Sequence, residues 1–184
     1  MAIDIRNPEI TKSAQEAASG AGIQLLAFLE ALFLSVWLGA MIFFSFAVAP
    51  SAFGVLPSRH LAGQIVASTL AKLELIGLVA GGLMLAIQLI AWRSNGARPR
   101  LRAARIGLLA LMVLATVGMR FWISPAMNSL RAAMGRPIDE IDPASPLRVE
   151  FNDLHQYSVM LMTVAMLSGV TLLFFTVRSR VKRV

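Results

Sequence analysis

The chain has 184 residues, of which 57% are hydrophobic and 15% are charged, and its mean hydropathy is +0.71. Soluble domains carry about 25% charged residues, so this composition argues for a membrane protein and against a water-soluble enzyme. The formal charge of +7 would suggest nucleic acid as a partner of a soluble protein, but here the basic residues flank apolar runs, and the lack of cysteine excludes disulfides and thiolate sites.

The N-terminal segment, residues 1–22, is polar and mixed in charge. Ser13 and Glu16 have the spacing of a capping box, which predicts a short interfacial helix. Gly20 and Gly22 are expected to interrupt that helix before the first apolar run begins.

The first expected span, residues 23–48, contains a single acid, Glu30. An ionisable group inside a bilayer is unfavourable, so we expect Glu30 to face the bundle and to have a partner. Gln88, Arg102 and Arg105 are the candidates, and pairing with them would give Glu30 a structural role. A proton-relay role would require a second titratable group deeper in the bilayer.

The second helix is expected to begin after a Ser58 cap and to be longer than the hydrocarbon core is thick. Its span is placed at residues 73–92, and the preceding part extends beyond the membrane. Four small residues recur along this span: Gly77, Gly81, Gly82 and Ala86. Small residues let membrane helices approach closely. We expect this ridge to pack within the bundle, with a seam for a homodimer or a larger membrane complex as the alternative.

The third span is expected at residues 106–124, after a short basic loop. Ser124-Pro125 has the pattern of an N-cap followed by proline in the first helical position, which predicts a new short helix that Gly135 ends.

The last helix is expected to begin at Ser145-Pro146, where the cap-and-proline pattern recurs. Its span is placed at residues 157–177, so the four-span membrane domain covers residues 23–177. A basic tail, residues 178–184, follows it.

Four spans place both termini and the connection between the second and third spans on one side of the membrane. That side carries eleven of the 17 Lys and Arg residues. The positive-inside rule therefore places it in the cytoplasm, facing anionic lipid headgroups. The sequence predicts an all-α integral membrane four-helix bundle in the cytoplasmic (inner) membrane, with long outer extensions of the second and fourth helices.

Polar residues concentrate at the outer ends of the spans, and together they form the main candidate site. The residues of this expected outer cluster are Glu74, Arg120, Asn152, His155 and Ser158. An arginine near a membrane boundary snorkels or pairs, and Glu74 is the acid nearest to Arg120 in depth. We expect these two to approach within salt-bridge distance and His155 to line the same outward cavity. The alternative is a polar plug that pins the helix ends.

The two histidines, His60 and His155, both fall on the outer side. Two imidazoles can hold a haem, and histidine with methionine can hold copper, so His155 is a weak candidate ligand. Methionine at helical spacing is more often packing material, and we expect no cofactor. The sequence contains neither a nucleophile elbow nor a phosphate-binding glycine loop, so nothing in it indicates an enzyme.

A set of scattered motif residues runs through most of the chain, from about residue 25 to 177: Trp37, Gly39, Pro50, Phe53, Pro57, Pro125, Phe151 and His155. In these residues the chain resembles the transmembrane protein 205-like family. The resemblance implies a small four-helix membrane protein in which the Phe-x-x-x-His element opens the last span. The family's bacterial members are a domain of unknown function, so the resemblance implies no activity.

The four-helix layout is more distantly similar to copper-resistance D-type and haem-linked membrane oxidase families. This chain departs from them because its expected spans contain no histidine, and because residues 69–72 replace an aromatic that is common there.

These patterns favour a small binding or transport-accessory protein of the membrane with an outward-facing polar site around His155. The alternatives are a structural subunit of a larger membrane complex and a redox protein that carries haem or copper.

Overall fold

The computed structural model describes residues 8–92 and 99–181, and all regular structure in these two ranges is helical. The predicted all-α class is confirmed for them. The six α-helices are α1 (Pro8–Phe43), α2 (Ala49–Val55), α3 (Arg59–Trp92), α4 (Pro99–Gly118), α5 (Ser124–Met134) and α6 (Pro146–Val181). A 3-10 turn, Ile138–Glu140, lies in the connection between α5 and α6.

Two pairs of helices are joined without a break by five-residue π-helical segments. Phe44–Val48 joins α1 to α2, and Met119–Ile123 joins α4 to α5. Each segment ends two residues before a proline, Pro50 or Pro125. Proline has no N–H to donate, and its ring clashes with the carbonyl four residues earlier, so a wider turn keeps the helix continuous. The elements therefore form four long helical rods.

All four rods are long and apolar enough to cross a membrane. The qualifying stretches are Gly20–Val55, Arg59–Leu89, Arg100–Met134 and Pro146–Arg178. Each expected span overlaps one of these stretches. Large apolar side chains such as Phe43, Leu83, Leu114 and Leu167 point away from the bundle, which is the pattern of a surface that faces lipid rather than water. The chain is an integral membrane four-helix bundle.

The four rods pack as a closed square in which α1 and α4 each contact both α3 and α6. On α1, the buried residues Leu34, Trp37, Leu38 and Met41 recur at helical spacing and so form one face. They pack with a set of buried residues from the other rods: Met84, Leu109, Met112, Ala115, Ala165 and Leu172. This core fixes the helix rotations, and with them the side chains that face the candidate site.

The two ends of the bundle differ. We call the end that holds residues 56–58 and 135–145 the connector end, and the opposite end the terminal end, because α1 begins there and α6 ends there. At the connector end, Ser58 Oγ accepts a hydrogen bond from the Leu61 N–H at 3.2 Å, so the predicted cap of α3 is confirmed. Gly135 ends α5 with a φ of 64°, as predicted.

Two local predictions were wrong. Gly20 and Gly22 do not interrupt a helix, since α1 runs through both. Ser124 is not an N-cap: its φ of −62° and ψ of −43° are helical, and the π-helical segment carries the backbone into α5 without a break. Because a widened turn accommodates Pro125, the proline does not have to begin a new helix.

Candidate functional site

A cavity of about 590 Å³ opens at the connector end, enclosed by α2, α3, α5, α6 and the segment after Gly135. We call it the connector cavity. Its volume lies in the range of small-molecule sites. On α3, Gly63, Val66, Ala67 and Leu70 face it at helical spacing. Two of these are small residues, which leaves room beside the helix.

The charged lining of the connector cavity is entirely cationic among the residues that the structure describes. Four arginines line it, together with both histidines: Arg59, Arg120, Arg131, Arg136, His60 and His155. The uncharged polar lining comes from Ser124, Asn128, Asn152 and Ser158. Apolar side chains complete the walls, among them Phe53, Met127, Met134 and Phe151. The cavity therefore combines positive charge with apolar surface.

Arg131 is held in this cavity by an aromatic ring and an amide rather than by an acid. Its guanidinium lies 5.1 Å from the centre of the Phe151 ring and donates to Asn128 Oδ1 at 3.3 Å. Arg131 is half-buried, and within residues 8–92 and 99–181 no carboxylate lies within salt-bridge distance of it. Arg59, by contrast, reaches Asp139 at 3.8 Å, but both side chains are exposed to solvent, so that pair contributes little.

Arg120 forms the floor of the connector cavity and contacts a buried acid beneath it. Its Nη1 lies 4.0 Å from Glu74 Oε2 and donates to the Ala71 carbonyl at 3.3 Å. Glu74 is only 4% exposed, and neither carboxylate oxygen has a hydrogen-bond partner among the described residues. It borders a separate void of about 20 Å³ with Trp37, whose Nε1 is also without a partner there. The expected approach of Glu74 and Arg120 is present, as a long ion pair.

A second polar network lies at the terminal end, around Glu30. Arg105 Nη2 donates to both Glu30 oxygens at 2.8 and 2.9 Å, and Gln88 Nε2 lies 3.1 Å from each. The same Arg105 nitrogen donates to Thr176 Oγ1 at 3.2 Å. The network thus joins α1, α3, α4 and α6. Two of the three partners considered from the sequence, Gln88 and Arg105, contact Glu30.

The small residues of α3 do not form one ridge. A Cβ on Gly77 would lie 2.5 Å from Trp37 Nε1, and a Cβ on Gly81 would lie 2.8 Å from Val113 Cγ2, so both glycines pack inside the bundle. A Cβ on Gly82 would have no atom within 4 Å, and Ala86 is exposed. Adjacent helical positions point about 100° apart, so the four residues divide between two faces.

Residues 32–136 match a family model described as a domain of unknown function, DUF4149. The chain belongs to this family. No curated protein and no solved structure matches the chain. The DUF4149 region contains Glu74, Arg120 and Arg131, whereas Phe151 and His155 lie beyond it on α6. One wall of the cavity is thus formed outside the matched segment.

The structure brings together most of the expected outer cluster of this DUF4149 protein. Arg120, Asn152, His155 and Ser158 all line the connector cavity, whereas Glu74 lies beneath it.

Several motif residues of the family resemblance also meet at the connector cavity. Phe53, Pro125, Phe151 and His155 line it. The other four motif residues lie elsewhere. Trp37 lies in the core, and Gly39 faces outward, since a Cβ there would have no atom within 4 Å. Pro50 lies just after the first π-helical segment, and Pro57 lies in the connection before α3.

Sequence reasoning missed the role of α5 in this DUF4149 protein. Met127, Asn128, Arg131 and Met134 recur at helical spacing and line the cavity together. That spacing was available in the sequence, and it places Arg131 and Asn128 on one face with two methionines.

Among the described residues, no three His, Cys, Asp or Glu side chains converge. His60 Nε2 already lies 3.0 Å from Gln64 Nε2, so one of the two imidazoles is held by a neighbour on its own helix.

Proposed function

We propose that this membrane protein binds an organic anion in the connector cavity, as a small binding or transport-accessory protein. The observation that carries the proposal is the lining: four arginines and two histidines without an acid among the described residues, in a cavity of about 590 Å³. The ligand class is an anionic group, a carboxylate, phosphate or sulfonate, attached to an apolar body.

Arg131 supports this proposal most strongly. A half-buried cation without a counter-charge is unfavourable, and an anionic ligand group would supply that charge. Guanidinium binds planar and tetrahedral oxyanions with two parallel hydrogen bonds. The apolar side chains of Phe53, Val66, Met127 and Phe151 border the same space and would contact the apolar body of the ligand.

We propose further that the connector end faces the periplasm and that both termini lie in the cytoplasm. The unequal distribution of Lys and Arg supports this orientation. The protein would then lie in the inner membrane and take its ligand from the outer side. Anionic lipid headgroups would contact the basic residues at the terminal end.

Thermal unfolding of the purified protein in an uncharged detergent tests anion binding. Two additions separate the two sources of an anion. Hexyl phosphate, added to the protein in detergent, supplies a free anion. Phosphatidylglycerol, added to a phosphatidylcholine nanodisc that holds the protein, supplies a lipid headgroup. A ligand at a hundred times its Kd stabilises the folded state by about 2.7 kcal/mol. Stabilisation by either addition supports the proposal and identifies the source, whereas no stabilisation by either contradicts it.

Arg131→Gln identifies the site, and Lys72→Gln is its matched control. Lys72 is an exposed cation on α3 that does not line the cavity. A hydrogen bond to a charged group contributes about 1.5 to 3 kcal/mol, so Arg131→Gln should weaken binding roughly tenfold to hundredfold. Lys72→Gln should leave binding unchanged. Equal losses in both variants would mean that the ligand responds only to overall charge.

A structural subunit is the second candidate function, and the outward position of Gly82 and Ala86 favours it. Exposed small residues on a membrane helix let another helix approach closely. Because the chain has no cysteine, Gly82→Cys gives a clean crosslinking probe in native membranes. A crosslinked dimer with Gly82→Cys, but not with Gly39→Cys on the outward side of α1, would support a homodimer seam.

We also propose kinship between this DUF4149 protein and the transmembrane protein 205-like family. The convergence of Phe53, Pro125, Phe151 and His155 on one cavity supports it, because residues far apart in sequence then serve one site. A structure of a member of that family should place the corresponding residues around a cavity at the same end of its bundle.

A further inference from the structure

We infer that binding of an anion at Arg120 is coupled to the uptake of one proton by Glu74. This inference rests on the proposed anion-binding function and adds a proton as the second ligand of the same site. It follows from the position of Arg120, which belongs both to the cavity lining and to the only ion pair that Glu74 makes among the described residues.

Arg120 lies between two anion positions. Its side chain is 35% exposed and faces the connector cavity above, while its Nη1 lies 4.0 Å from the Glu74 carboxylate below. The Ala71 carbonyl accepts from the same nitrogen at 3.3 Å and keeps the guanidinium at this level. A ligand anion that reaches the cavity floor therefore competes with Glu74 for one cation.

The other described groups that face Glu74 are neutral. Trp37 and Met41 face it from α1, Ala115 and Thr116 from α4, and Leu161, Met162 and Ala165 from α6. The Ser124 hydroxyl lies close to the carboxyl group, and Arg120 is the charged group that acts on it. Arg131 and Arg136 line the cavity above but not the void in which Glu74 lies.

An anion at Arg120 would leave two negative charges to share one counter-ion in a poorly solvated place. Like charges at close range in such surroundings repel strongly, and the ionised form of a buried carboxyl is further disfavoured by its desolvation. Addition of a proton from the solvent to one Glu74 oxygen removes this repulsion. The site then gains one anion and one proton, and its net charge does not change.

Coupling of this kind determines how the affinity for the anion changes with pH. Where a proton is taken up with the ligand, the affinity falls as the pH rises, by up to about tenfold per pH unit for one proton. Glu74→Gln removes both the proton acceptor and the competing charge. This variant should lose the part of the pH dependence that Glu74 causes, and at high pH it should bind the anion more tightly than the wild type.

Isothermal titration calorimetry with hexanesulfonate measures the proton directly. The sulfonate stays ionised at the pH of the experiment, so protons taken up on binding enter the protein. Titrations in two buffers that differ in ionisation enthalpy give the number of protons per bound ligand. The wild type should take up close to one proton at the pH where the affinity changes most steeply, and Glu74→Gln should take up close to none.

The histidines of the cavity provide the control, because imidazole titrates in the physiological range. His60→Gln and His155→Gln should keep the proton uptake. Hexanesulfonate binding to the wild type without proton uptake at any pH overturns the coupling and leaves the anion site intact. Uptake that persists in Glu74→Gln and vanishes in either histidine variant also overturns it. A wild type that does not bind hexanesulfonate refutes the proposed function itself.

Discussion

Glu74 Oε2 lies 4.0 Å from Arg120 Nη1, with the carboxylate beneath the connector cavity and the guanidinium at its floor. This relationship joins the buried layer of the bundle to the space that a ligand would enter. It also distinguishes this pair from Glu30 and Arg105, where two short hydrogen bonds satisfy the acid. The Glu30 carboxylate accepts four hydrogen bonds from Arg105 and Gln88. The Glu74 carboxylate accepts none from the described residues, and a second anion can reach its cation.

The Glu30 network should stabilise the fold by holding four helices together. Glu30→Leu leaves the Arg105 guanidinium without its carboxylate in a part-buried position, so it should destabilise the fold by about 3 to 5 kcal/mol. Glu30→Gln keeps the capacity to accept hydrogen bonds and should be milder. Unfolding in detergent measures both. The double variant Glu30→Leu/Arg105→Met should regain part of the lost stability. Simple additivity of the two single effects would contradict a stabilising pair between Glu30 and Arg105.

Gly77 and Gly82 give a matched test of helix packing. Gly77→Ala would place a methyl group 2.5 Å from Trp37 Nε1, so we expect destabilisation of about 1 to 3 kcal/mol, as in other overpacked cores. Gly82→Ala meets no atom within 4 Å and should leave the melting temperature unchanged. Equal melting temperatures for the two variants would show that α3 is not rotated as described.

Most of the fold followed from the sequence, because long apolar runs determine the number of spans and the basic flanks suggest their orientation. The rotation of each helix did not, since hydrophobicity on all sides of a membrane helix gives no amphipathic stripe to align. Lipid-facing and buried residues look alike in composition, as Leu34 and Leu83 illustrate.

The candidate site was only partly predictable from the sequence. Depth alone brought Glu74, Arg120 and His155 to one end of the bundle, because polar residues are conspicuous in apolar surroundings. Arg131 escaped prediction, since Ser124-Pro125 suggested a separate short helix. The π-helical turn before α5 instead continues the rod, and this carries Arg131 over the cavity.

Gly63 offers a way to fill the connector cavity without changing its charge. A Cβ there would lie 3.8 Å from Arg131 Nη2, so Gly63→Leu should project into the cavity and weaken anion binding more than tenfold. The melting temperature without ligand should stay near that of the wild type. Gly39→Leu, which has no neighbour within 4 Å, is the control. Undiminished binding in Gly63→Leu would show that the ligand binds outside the connector cavity.

Single cysteines test the orientation of the bundle, since the chain has none of its own. Glu140→Cys lies in an exposed part of the α5–α6 connection and should react in intact cells with a maleimide that does not cross membranes. Val184→Cys at the C-terminus should react only after the cells are opened. The reverse pattern would place the connector cavity in the cytoplasm.

The central claim is that the cavity recognises negative charge on an apolar molecule. Calorimetric titration of the wild type with hexanesulfonate and with hexyl glucoside, an uncharged molecule with the same alkyl chain, tests it most directly. We predict saturable binding of one hexanesulfonate per protein, at least tenfold tighter than any binding of hexyl glucoside, since a charge-assisted hydrogen bond contributes about 1.5 kcal/mol or more. Equal affinity for the two molecules, or uptake that never saturates, would contradict the claim.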